Sequence, residues 1–372
     1  MVHPDAQKDS THDLEAVLGQ FRMVATLRTI VRFGHGHIND TYCAVVEEGT
    51  RYILQRINHE VFKNPAAVMS NVQRVTAHLQ QKLGRDRDPS RSVLTLVPAV
   101  NGGVLVHDQH GCTWRVYLFV ENTHTCQAVE STEQAYEVAR AFGQFQGALA
   151  DLGSPRLHET IVDFHNTPKR FQALEEAAAA DLCDRAKLAA NEIAFAFRRK
   201  PMAATLTEAH LPERIVHNDA KLNNVLLDDS TGEAMCVVDL DTVMPGLAAH
   251  DFGDLVRTST SPAAEDELDL AKVTLQLPMF EALVRGYLSS AGGFLTQSEI
   301  ECLPLAGKLI TFEQGLRFLT DFLVGDTYFR ASRPFHNLQR CRTQFKLVES
   351  IEQQEAEMGR IVSRAYSRGE RH

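Results

Sequence analysis

The sequence lacks the features that would identify a membrane, secreted or nucleic-acid-binding protein. It has no long apolar stretch: CVVDL and VYLFV are strand-length, far short of the roughly 18 to 20 residues that cross a bilayer. Its first twenty residues contain no cationic stretch followed by an apolar run, so we expect no signal peptide. Basic residues are not in excess, because the 372-residue chain carries a formal net charge of −10. This balance argues against binding to nucleic-acid backbones.

The chain also lacks paired cysteines. Its 7 cysteines are scattered and contain no C-x-x-C pair. This spacing argues against a disulfide framework or a zinc site. We therefore expect a protein of the reducing cytoplasm, with small-molecule partners and no membrane or nucleic acid among them.

The sequence pattern changes along the chain from strand-like to helical. Up to about residue 120 the sequence alternates as strands do, with three of them predicted within residues 92–121 and one helix after Asn64-Pro65. Beyond residue 121 the patterns are mainly helical, including an Ala-rich segment at 171–200. We predict an α+β, bilobal fold with a β-rich N-terminal lobe (1–120), a hinge near 119–122 and a mainly α-helical C-terminal lobe (121–372).

The segment RIVHNDAKLNNVLL, residues 214–227, holds polar residues between two apolar runs. Asn224 follows Asp219 by five positions, and the next apolar run leads into Asp239. Protein kinases use this order of catalytic loop, strand and metal-binding aspartate. A carboxylate can orient an acceptor hydroxyl and take its proton, and Mg²⁺ prefers hard oxygen ligands. We interpret Asp219 as the base in contact with the acceptor, and Asn224 and Asp239 as metal ligands. The alternative is that Asp219 only caps a turn.

Two further acidic residues follow this segment. Asp241 is either a second metal ligand or a solvated neighbour of Asp239. Asp251 lies at the start of a predicted helix, so we expect it to cap that helix or to hydrogen-bond the catalytic loop. His217 is expected to hold the shape of the loop.

The segments VHNDAKLNNVLLD, VVDLDTVMPG and DFGDLVR resemble the aminoglycoside phosphotransferase superfamily, the small-molecule relatives of protein kinases. Within it, GHGHINDTY, RYILQRIN, FHNTPKRF and LRFLTDFLVGDTYF are most similar to N-acetylhexosamine 1-kinases. The resemblance implies Mg²⁺-dependent transfer of phosphate from ATP to the anomeric 1-hydroxyl of N-acetylglucosamine or N-acetylgalactosamine. The sugar contacts that it implies, besides Asp219, are His37, Asn39, Arg317 and Tyr328.

Arg317 and Tyr328 can meet only if the chain turns between them. They are too far apart in sequence to share one helix face by i, i+4 spacing. Gly325-Asp326 can supply the turn. The alternative for Arg317 is an ion pair with Asp321, four residues along its own helix.

The nucleotide is expected on the N-terminal lobe. A turn containing Gly34 and Gly36 can bring backbone N–H groups to the phosphates, although an ordinary β-turn explains the same residues. Kinase-like proteins bind adenine through backbone groups of the hinge, for which the candidates are Phe119, Val120 and Glu121.

Gln55 is also expected among the nucleotide-binding residues, but it departs from the protein-kinase pattern. It stands in YILQRIN where protein kinases carry the lysine that pairs with the phosphates. Arg56 should face the other side of the strand. Gln55 leaves a non-catalytic nucleotide-binding module as one alternative to a sugar kinase. The other alternative is a kinase of the same scaffold that acts on another alcohol (an aminoglycoside, choline, homoserine or methylthioribose).

Overall fold

The computed structural model describes residues 12–23, 26–34, 38–84 and 88–369. They divide into two compact units. The first contains the described residues up to Thr123 together with Leu152–Ile161 and Val238–Val243. The second contains His124–Asp151, Val162–Val237 and the described residues from Met244 onwards.

The two later segments of the first unit have no counterpart in the lobes predicted from the sequence, which divide once at residue 120. The buried side chain of Asn71 contacts both segments, because its Nδ2 atom donates to the carbonyl oxygens of His158 and Val243. Thr160 Oγ1 also donates to the carbonyl oxygen of Asp241 at 2.7 Å. Contacts between residues far apart in sequence thus hold these segments.

An antiparallel sheet forms the centre of the first unit. Its strands are β1 (Leu27–Arg32), β2 (Asp40–Val46), β3 (Arg51–Arg56), β4 (Val106–His107) and β5 (Thr113–Leu118). Their order is β1–β2–β3–β5–β4. The register places Gln55 of β3 directly opposite Thr41 of β2 and Arg115 of β5. Because directly opposite residues share one face of a sheet, these three side chains lie in a row.

The helices of the first unit are α1 (Leu14–Leu18), α2 (Pro65–Lys82) and α3 (Pro89–Ser92). The predicted start of α2 is confirmed: Pro65 occupies its first turn and Asn64 Oδ1 accepts a hydrogen bond from Ala67 N at 3.1 Å. One face of α2 is buried.

Short strands form two small sheets in the second unit. The two-residue strand β6 (Thr123–His124) leads the chain into this unit. One sheet pairs β7 (Arg214–Val216) with β10 (Met244–Gly246). The other has the order β6–β8–β9, in which β8 (Val225–Asp228) runs antiparallel to β9 (Ala234–Val237).

Helices make up the rest of the second unit, as predicted. No helix in the described part of the chain is both long enough and apolar enough to cross a membrane. The helices are α4 (Thr132–Leu149), α5 (Thr167–Ala180), α6 (Ala190–Arg198), α7 (Thr205–Glu208), α8 (Ala248–Ser259), α9 (Leu277–Ala291), α10 (Gln297–Glu301), α11 (Leu303–Leu323) and α12 (His336–Gly369).

One prediction of local structure was wrong, and another holds with an interruption. The first of the three strands predicted in 92–121 is absent from the described sheet, where Leu96 and Ala99 form only isolated bridges. Pro98 lies between them and has no N–H to donate to a ladder. The Ala-rich segment is helical, as predicted, but it is interrupted: α5 ends at Ala180, and the residue that caps it, Asp181, has a left-handed φ of 39°. The Asp181 carboxylate then accepts from the backbone N–H groups of Arg185 and Ala186.

A substitution at Gly286 tests the packing of α9 on α4. A Cβ atom at this position would lie well inside contact distance of the backbone carbonyl of Tyr136. We expect Gly286→Ala to lower the free energy of unfolding by about 1–3 kcal/mol, because two backbones must move apart. Gly359→Ala on α12 is the matched control, since a Cβ there has nothing within 4 Å. It should be neutral or stabilise by roughly 0.5–1 kcal/mol through helix propensity. Equal melting temperatures for the two variants would contradict the packing described.

Candidate active site

The loop after β7 brings two of the predicted site residues together. It passes through a 3-10 turn at Leu222–Asn224 before β8 begins. The Nδ2 atom of Asn224 donates to the backbone oxygen of Asp219 at 2.8 Å and to its Oδ2 atom at 3.1 Å. The five-residue spacing therefore closes a small ring that fixes both side chains.

The carboxylate of Asp219 has one occupied oxygen and one open oxygen. Lys221 Nζ lies 2.8 Å from Oδ2, the atom that also accepts from Asn224. Oδ1 accepts no hydrogen bond from a residue that the structure describes, and a quarter of the side chain is exposed. Burial raises the pKa of Asp219, but the nearby charge of Lys221 outweighs it and lowers the pKa to about 2. The group is thus ionised at neutral pH and presents Oδ1 as an acceptor.

Asn224, in the second unit, and Asp239, in the first, each carry a side-chain oxygen of the kind that binds Mg²⁺. A carboxylate cannot donate a hydrogen bond, so Asn224 must direct its NH₂ group to Asp219. Its amide oxygen is left over, and among the described residues it accepts no hydrogen bond. Asp239, in the first unit, is exposed and has a left-handed φ of 60° just before a 3-10 turn. Amide and carboxylate oxygens are ligands that Mg²⁺ prefers.

Asp251 hydrogen-bonds the catalytic loop, as one of the two predicted alternatives required. Its carboxylate accepts from the backbone N–H groups of His217 (2.8 Å) and Asn218 (2.6 Å). Gln146 Nε2 adds a third hydrogen bond at 2.6 Å. Asn218 has a left-handed φ of 63°, and the two bonds hold this residue directly before Asp219. His217 is fully buried, with its ring edge-on to Phe142.

A buried ion pair supports the same loop from the other side. His165 Nδ1 lies 2.8 Å from Glu313 Oε1, and His165 Nε2 lies 2.9 Å from the carbonyl oxygen of Asn218. Both partners can only accept, so both ring nitrogens must carry protons and His165 is an imidazolium. Burial lowers the pKa of His165, but Glu313 more than compensates and the net pKa is raised. Burial raises the pKa of Glu313, yet His165 and a hydrogen bond from Thr167 lower it to about 2.

The structure also brings Arg317 and Tyr328 together. Gly325 (φ 102°) and Asp326 (φ 61°) form the predicted turn after α11. Asp321 does not pair with Arg317; its carboxylate accepts from three backbone N–H groups of this turn, at residues 327–329. Arg317 is thereby left to face Tyr328.

Aromatic rings surround the Arg317 guanidinium. Its Cζ atom lies 5.3 Å from the ring centre of Phe164, 5.3 Å from that of Phe329 and 5.8 Å from that of Tyr328. Arg170 of α5 lies nearby: burial lowers its pKa, and the positive charge of Arg317 lowers it further. We call Phe164, Arg170, Arg317, Tyr328 and Phe329 the arginine–aromatic cluster.

In the first unit, Gln55 is part of a buried polar network. Its Oε1 atom accepts from Nε and Nη2 of Arg115 at 3.0 and 2.9 Å, and its Nε2 atom donates to Thr41 Oγ1 at 3.0 Å. Arg115 also forms a two-pronged ion pair with Asp241. Asn39 Nδ2 donates to Asp241 Oδ2 at 2.7 Å. Arg56 faces the other side of β3, as predicted, and pairs with Asp40 instead.

This network occupies three of the predicted site residues. Asp241 is 1% exposed and both of its oxygens accept hydrogen bonds, so it is not a solvated neighbour. In this arrangement both of its oxygens are engaged by Arg115 and Asn39. Asn39 accepts from Asn58 N through its second polar atom, and Gln55 is engaged at both ends. The ligand-binding roles predicted for these three stay predictions.

The structure describes only some of the other residues that were predicted near the nucleotide. Phe119 packs under the Arg51 guanidinium, Arg51 pairs with Glu121, and the Val120 carbonyl accepts from Thr123 Oγ1. Gly34 has a left-handed φ of 78°. Gly36 and His37 lie outside the described residues.

Another group of potential metal ligands, His12, Asp108 and Cys112, is accounted for by hydrogen bonds. Asp108 Oδ2 accepts from His12 and from Trp114 Nε1. Its Oδ1 accepts from the backbone N–H groups of His110 and Cys112. The aspartate is thus a turn-forming residue with both oxygens in use.

A family model described as the phosphotransferase enzyme family matches residues 29–284 of the sequence. The chain belongs to this aminoglycoside phosphotransferase family. The loop that carries Asp219, the two metal-ligand candidates and Asp251 all lie within the matched residues.

Solved structures with the same fold include three other kinases, all distant in sequence. A microcompartment-associated aminopropanol kinase is 18% identical with a TM-score of 0.65, covering 93% of this chain and 98% of its own. A spectinomycin phosphotransferase is 11% identical with a TM-score of 0.59, covering 92% and 98%. Choline kinase from Cryptosporidium parvum Iowa II is 12% identical with a TM-score of 0.55, covering 93% and 96%. These likenesses confirm the predicted α+β, protein-kinase-like fold of the phosphotransferase.

The sequence-based reasoning missed four side chains of these networks: His165, Arg170, Glu313 and Arg115. A signal for two of them was present. Arg115 interrupts the apolar strand TWRVYL and Glu313 interrupts the apolar helix segment KLITFEQGL. A charge inside an apolar run needs a buried partner, although the sequence does not say which partner it is.

The His165–Glu313 pair predicts a pH-dependent stability. The lowered pKa of Glu313 contributes stability above its ordinary value of 4.5, and this is lost as the pH falls toward about 2. The raised pKa of His165 contributes stability below its ordinary value of 6.5, and this is lost as the pH rises through the raised value. Glu313→Gln should therefore lower the melting temperature most between roughly pH 4.5 and 6.5 and least at alkaline pH.

Glu349→Gln is the control for this measurement. Glu349 forms an exposed pair with Lys346 on α12, and its loss should give a small shift that does not depend on pH. If the difference between the parent and Glu313→Gln were the same at pH 5.5 and pH 9, the imidazolium assignment would be wrong.

Proposed function

We propose that this phosphotransferase transfers the γ-phosphate of ATP to the anomeric 1-hydroxyl of an N-acetylhexosamine, N-acetylglucosamine or N-acetylgalactosamine, with Mg²⁺. Membership of the family supports phosphoryl transfer to a small molecule. The spectinomycin phosphotransferase of the same fold was crystallised with ADP, which supports an adenine nucleotide as donor. The sugar is supported by motif resemblance and by the arginine–aromatic cluster.

The choice of acceptor rests on one observation: the arginine–aromatic cluster already contains a cation against its aromatic rings. Aromatic faces that surround a space are a common way to bind a quaternary ammonium ligand such as choline. Here the faces of Phe164, Tyr328 and Phe329 already have a cation against them, the guanidinium of Arg317. A second cation would meet the charges of Arg317 and Arg170. A neutral acceptor avoids this repulsion, whereas aminopropanol and choline do not.

The same residues offer hydrogen-bond donors to a neutral sugar. Arg170 Nε is buried and has no hydrogen-bond partner among the described residues. Arg317 Nη1 donates one hydrogen bond to Gln314 Oε1 at 2.9 Å. The other N–H groups of the guanidinium are hydrogen-bond donors with a fixed planar geometry. Hydroxyl and acetamido oxygens are acceptors for such groups, and Tyr328, which is 55% exposed, supplies an apolar ring edge.

The cluster is connected to Asp219 by side chains of the second unit. Glu313 lies one helical turn before Arg317 on α11, and it binds His165, which binds the carbonyl oxygen of Asn218. Asp219 Oδ1 is the open oxygen that would orient the sugar hydroxyl and accept its proton. An anomeric hydroxyl is more acidic than an ordinary alcohol, which suits a carboxylate with a pKa of about 2. Bound Mg²⁺ would neutralise the phosphate charge, and positioning accounts for most of the catalysis.

A panel of acceptors tests the proposal. With Mg-ATP, we expect ADP release in the presence of N-acetylglucosamine or N-acetylgalactosamine, and little with choline, aminopropanol, homoserine, methylthioribose or aminoglycosides. Phosphorus NMR of the product should show a sugar 1-phosphate. Asp219→Asn should lower kcat by orders of magnitude and leave the affinity for ATP nearly unchanged.

Each failure of this panel has its own meaning. Turnover of amines but not of sugars would replace the acceptor and keep the phosphotransferase. A 6-phosphate product would contradict the anomeric assignment. Tight nucleotide binding without turnover of any acceptor would favour a non-catalytic module.

Removal of the Arg317 guanidinium tests the cluster itself. Arg317→Gln removes a charged donor, so kcat/KM for the sugar should fall about 10- to 100-fold, mainly through KM. The KM for ATP should stay the same. Discrimination against choline should weaken, because the aromatic faces become available to a ligand cation.

Arg199→Gln is the matched control, since the Arg199 guanidinium also lies against a ring, that of Phe195, outside the cluster. It should leave the KM for the sugar unchanged. A sugar KM that rises equally in both variants, or in neither, would show that Arg317 does not contact the acceptor.

A further inference from the structure

Arg115 is the charged group that the phosphotransferase buries most completely in its sheet. It lies in the middle of β5 and is 1% exposed. Its fork-shaped guanidinium reaches two acceptors at once: Nη1 and Nη2 bind the carboxylate of Asp241, while Nε and Nη2 bind Gln55 Oε1. A lysine in this position could not make this pattern, because an ammonium is a point charge without a planar fork.

The partner of Arg115 belongs to the segment that contains Asp239. Asp241 is two residues after Asp239, within the 3-10 turn at Leu240–Thr242. Its side chain is held by Arg115 and Asn39, and its carbonyl oxygen by Thr160 Oγ1. The buried residues from Leu240 onwards are therefore anchored to the first unit. Asp239 is exposed at the start of this anchored turn, with a left-handed backbone.

We propose that Arg115 is a positioning residue for the metal site: by holding Asp241, it fixes the backbone that presents the Asp239 carboxylate. This inference rests on the metal role proposed for Asp239. It also explains the glutamine at position 55. A lysine there would place a second cation against Arg115, whereas a glutamine oxygen accepts two of its N–H groups. The charge that protein kinases place on the third strand is found here one strand away, and its partner is the segment of Asp239.

Arg115→Lys tests the inference because it keeps the buried charge opposite Asp241 and loses the fork. The probe is Mn²⁺, titrated with a non-hydrolysable ATP analogue and without any sugar, with free Mn²⁺ followed by electron paramagnetic resonance. We expect the apparent Kd for Mn²⁺ to rise about 10- to 100-fold, the usual effect of losing a residue that orients a metal ligand. Affinity for the analogue in EDTA should stay at the parent value.

Arg115→Met combined with Asp241→Asn provides a second variant that leaves no unpaired buried charge. It should show the same loss of Mn²⁺ affinity. Arg56→Lys is the matched control, because Arg56 pairs with Asp40 from the neighbouring position of the same sheet. It should bind Mn²⁺ as the parent does.

Three outcomes overturn the inference. One is parent-like Mn²⁺ affinity in Arg115→Lys and in the double variant, with only the melting temperature lowered. Another is an equal loss in Arg56→Lys, which would indicate a general disturbance of the sheet. The third is parent-like Mn²⁺ binding by Asp239→Asn, since no ligand would then remain to position. Because no sugar is present, an incorrect choice of acceptor would change none of these results.

Discussion

The two hydrogen bonds from the backbone of His217 and Asn218 to Asp251 are the constraint on which the candidate active site depends. A loop inside a protein must find partners for its N–H and C=O groups, because water does not reach them. Here one carboxylate takes two successive N–H groups, and the His165 imidazolium takes the carbonyl oxygen of Asn218. Because both the N–H and the C=O group of Asn218 are hydrogen-bonded, its left-handed backbone is stable. This fixes the orientation of the residue that follows, Asp219.

The loop before Asp219 and the turn after Asp239 are held by buried charged side chains rather than by the hydrogen bonds of a helix or strand. Each of these buried charges needs a partner. A buried ion pair adds little net stability compared with apolar residues, but removal of one member is costly. The pairs His165–Glu313 and Arg115–Asp241 are therefore better understood as devices that fix geometry. The first holds the loop that presents Asp219, and the second holds the turn that begins beside Asp239. Each does so within its own unit.

The sequence could predict what depends on short spacing. The ring between Asp219 and Asn224, the cap of α2, the turn that brings Arg317 to Tyr328 and the contact from Asp251 to the loop all follow from residues within a few tens of positions. What it could not predict are pairs whose members are far apart. Arg115 and Asp241 are separated by 126 positions, and His165 and Glu313 by 148. An isolated charge in an apolar run indicates that a partner exists, but only the folded chain identifies it. The same limit applies to Asp241, because its spacing from Asp239 is visible in the sequence and its ion pair with Arg115 is not.

Under the proposed function, the arginine–aromatic cluster would select among acceptors without any change in the loop that carries Asp219. The faces of aromatic rings attract any cation that reaches them. If the protein itself supplies that cation, the ring faces are already occupied and the protein cation repels a positively charged ligand. Arg317 does this with three rings, and the neighbouring charge of Arg170 strengthens the barrier. Specificity is then a difference between two free energies: the donors gain from a neutral acceptor and the charges repel an amine. Because Arg317 lies one turn along α11 from Glu313, the same helix would then select the acceptor and, through His165, anchor the loop that carries Asp219.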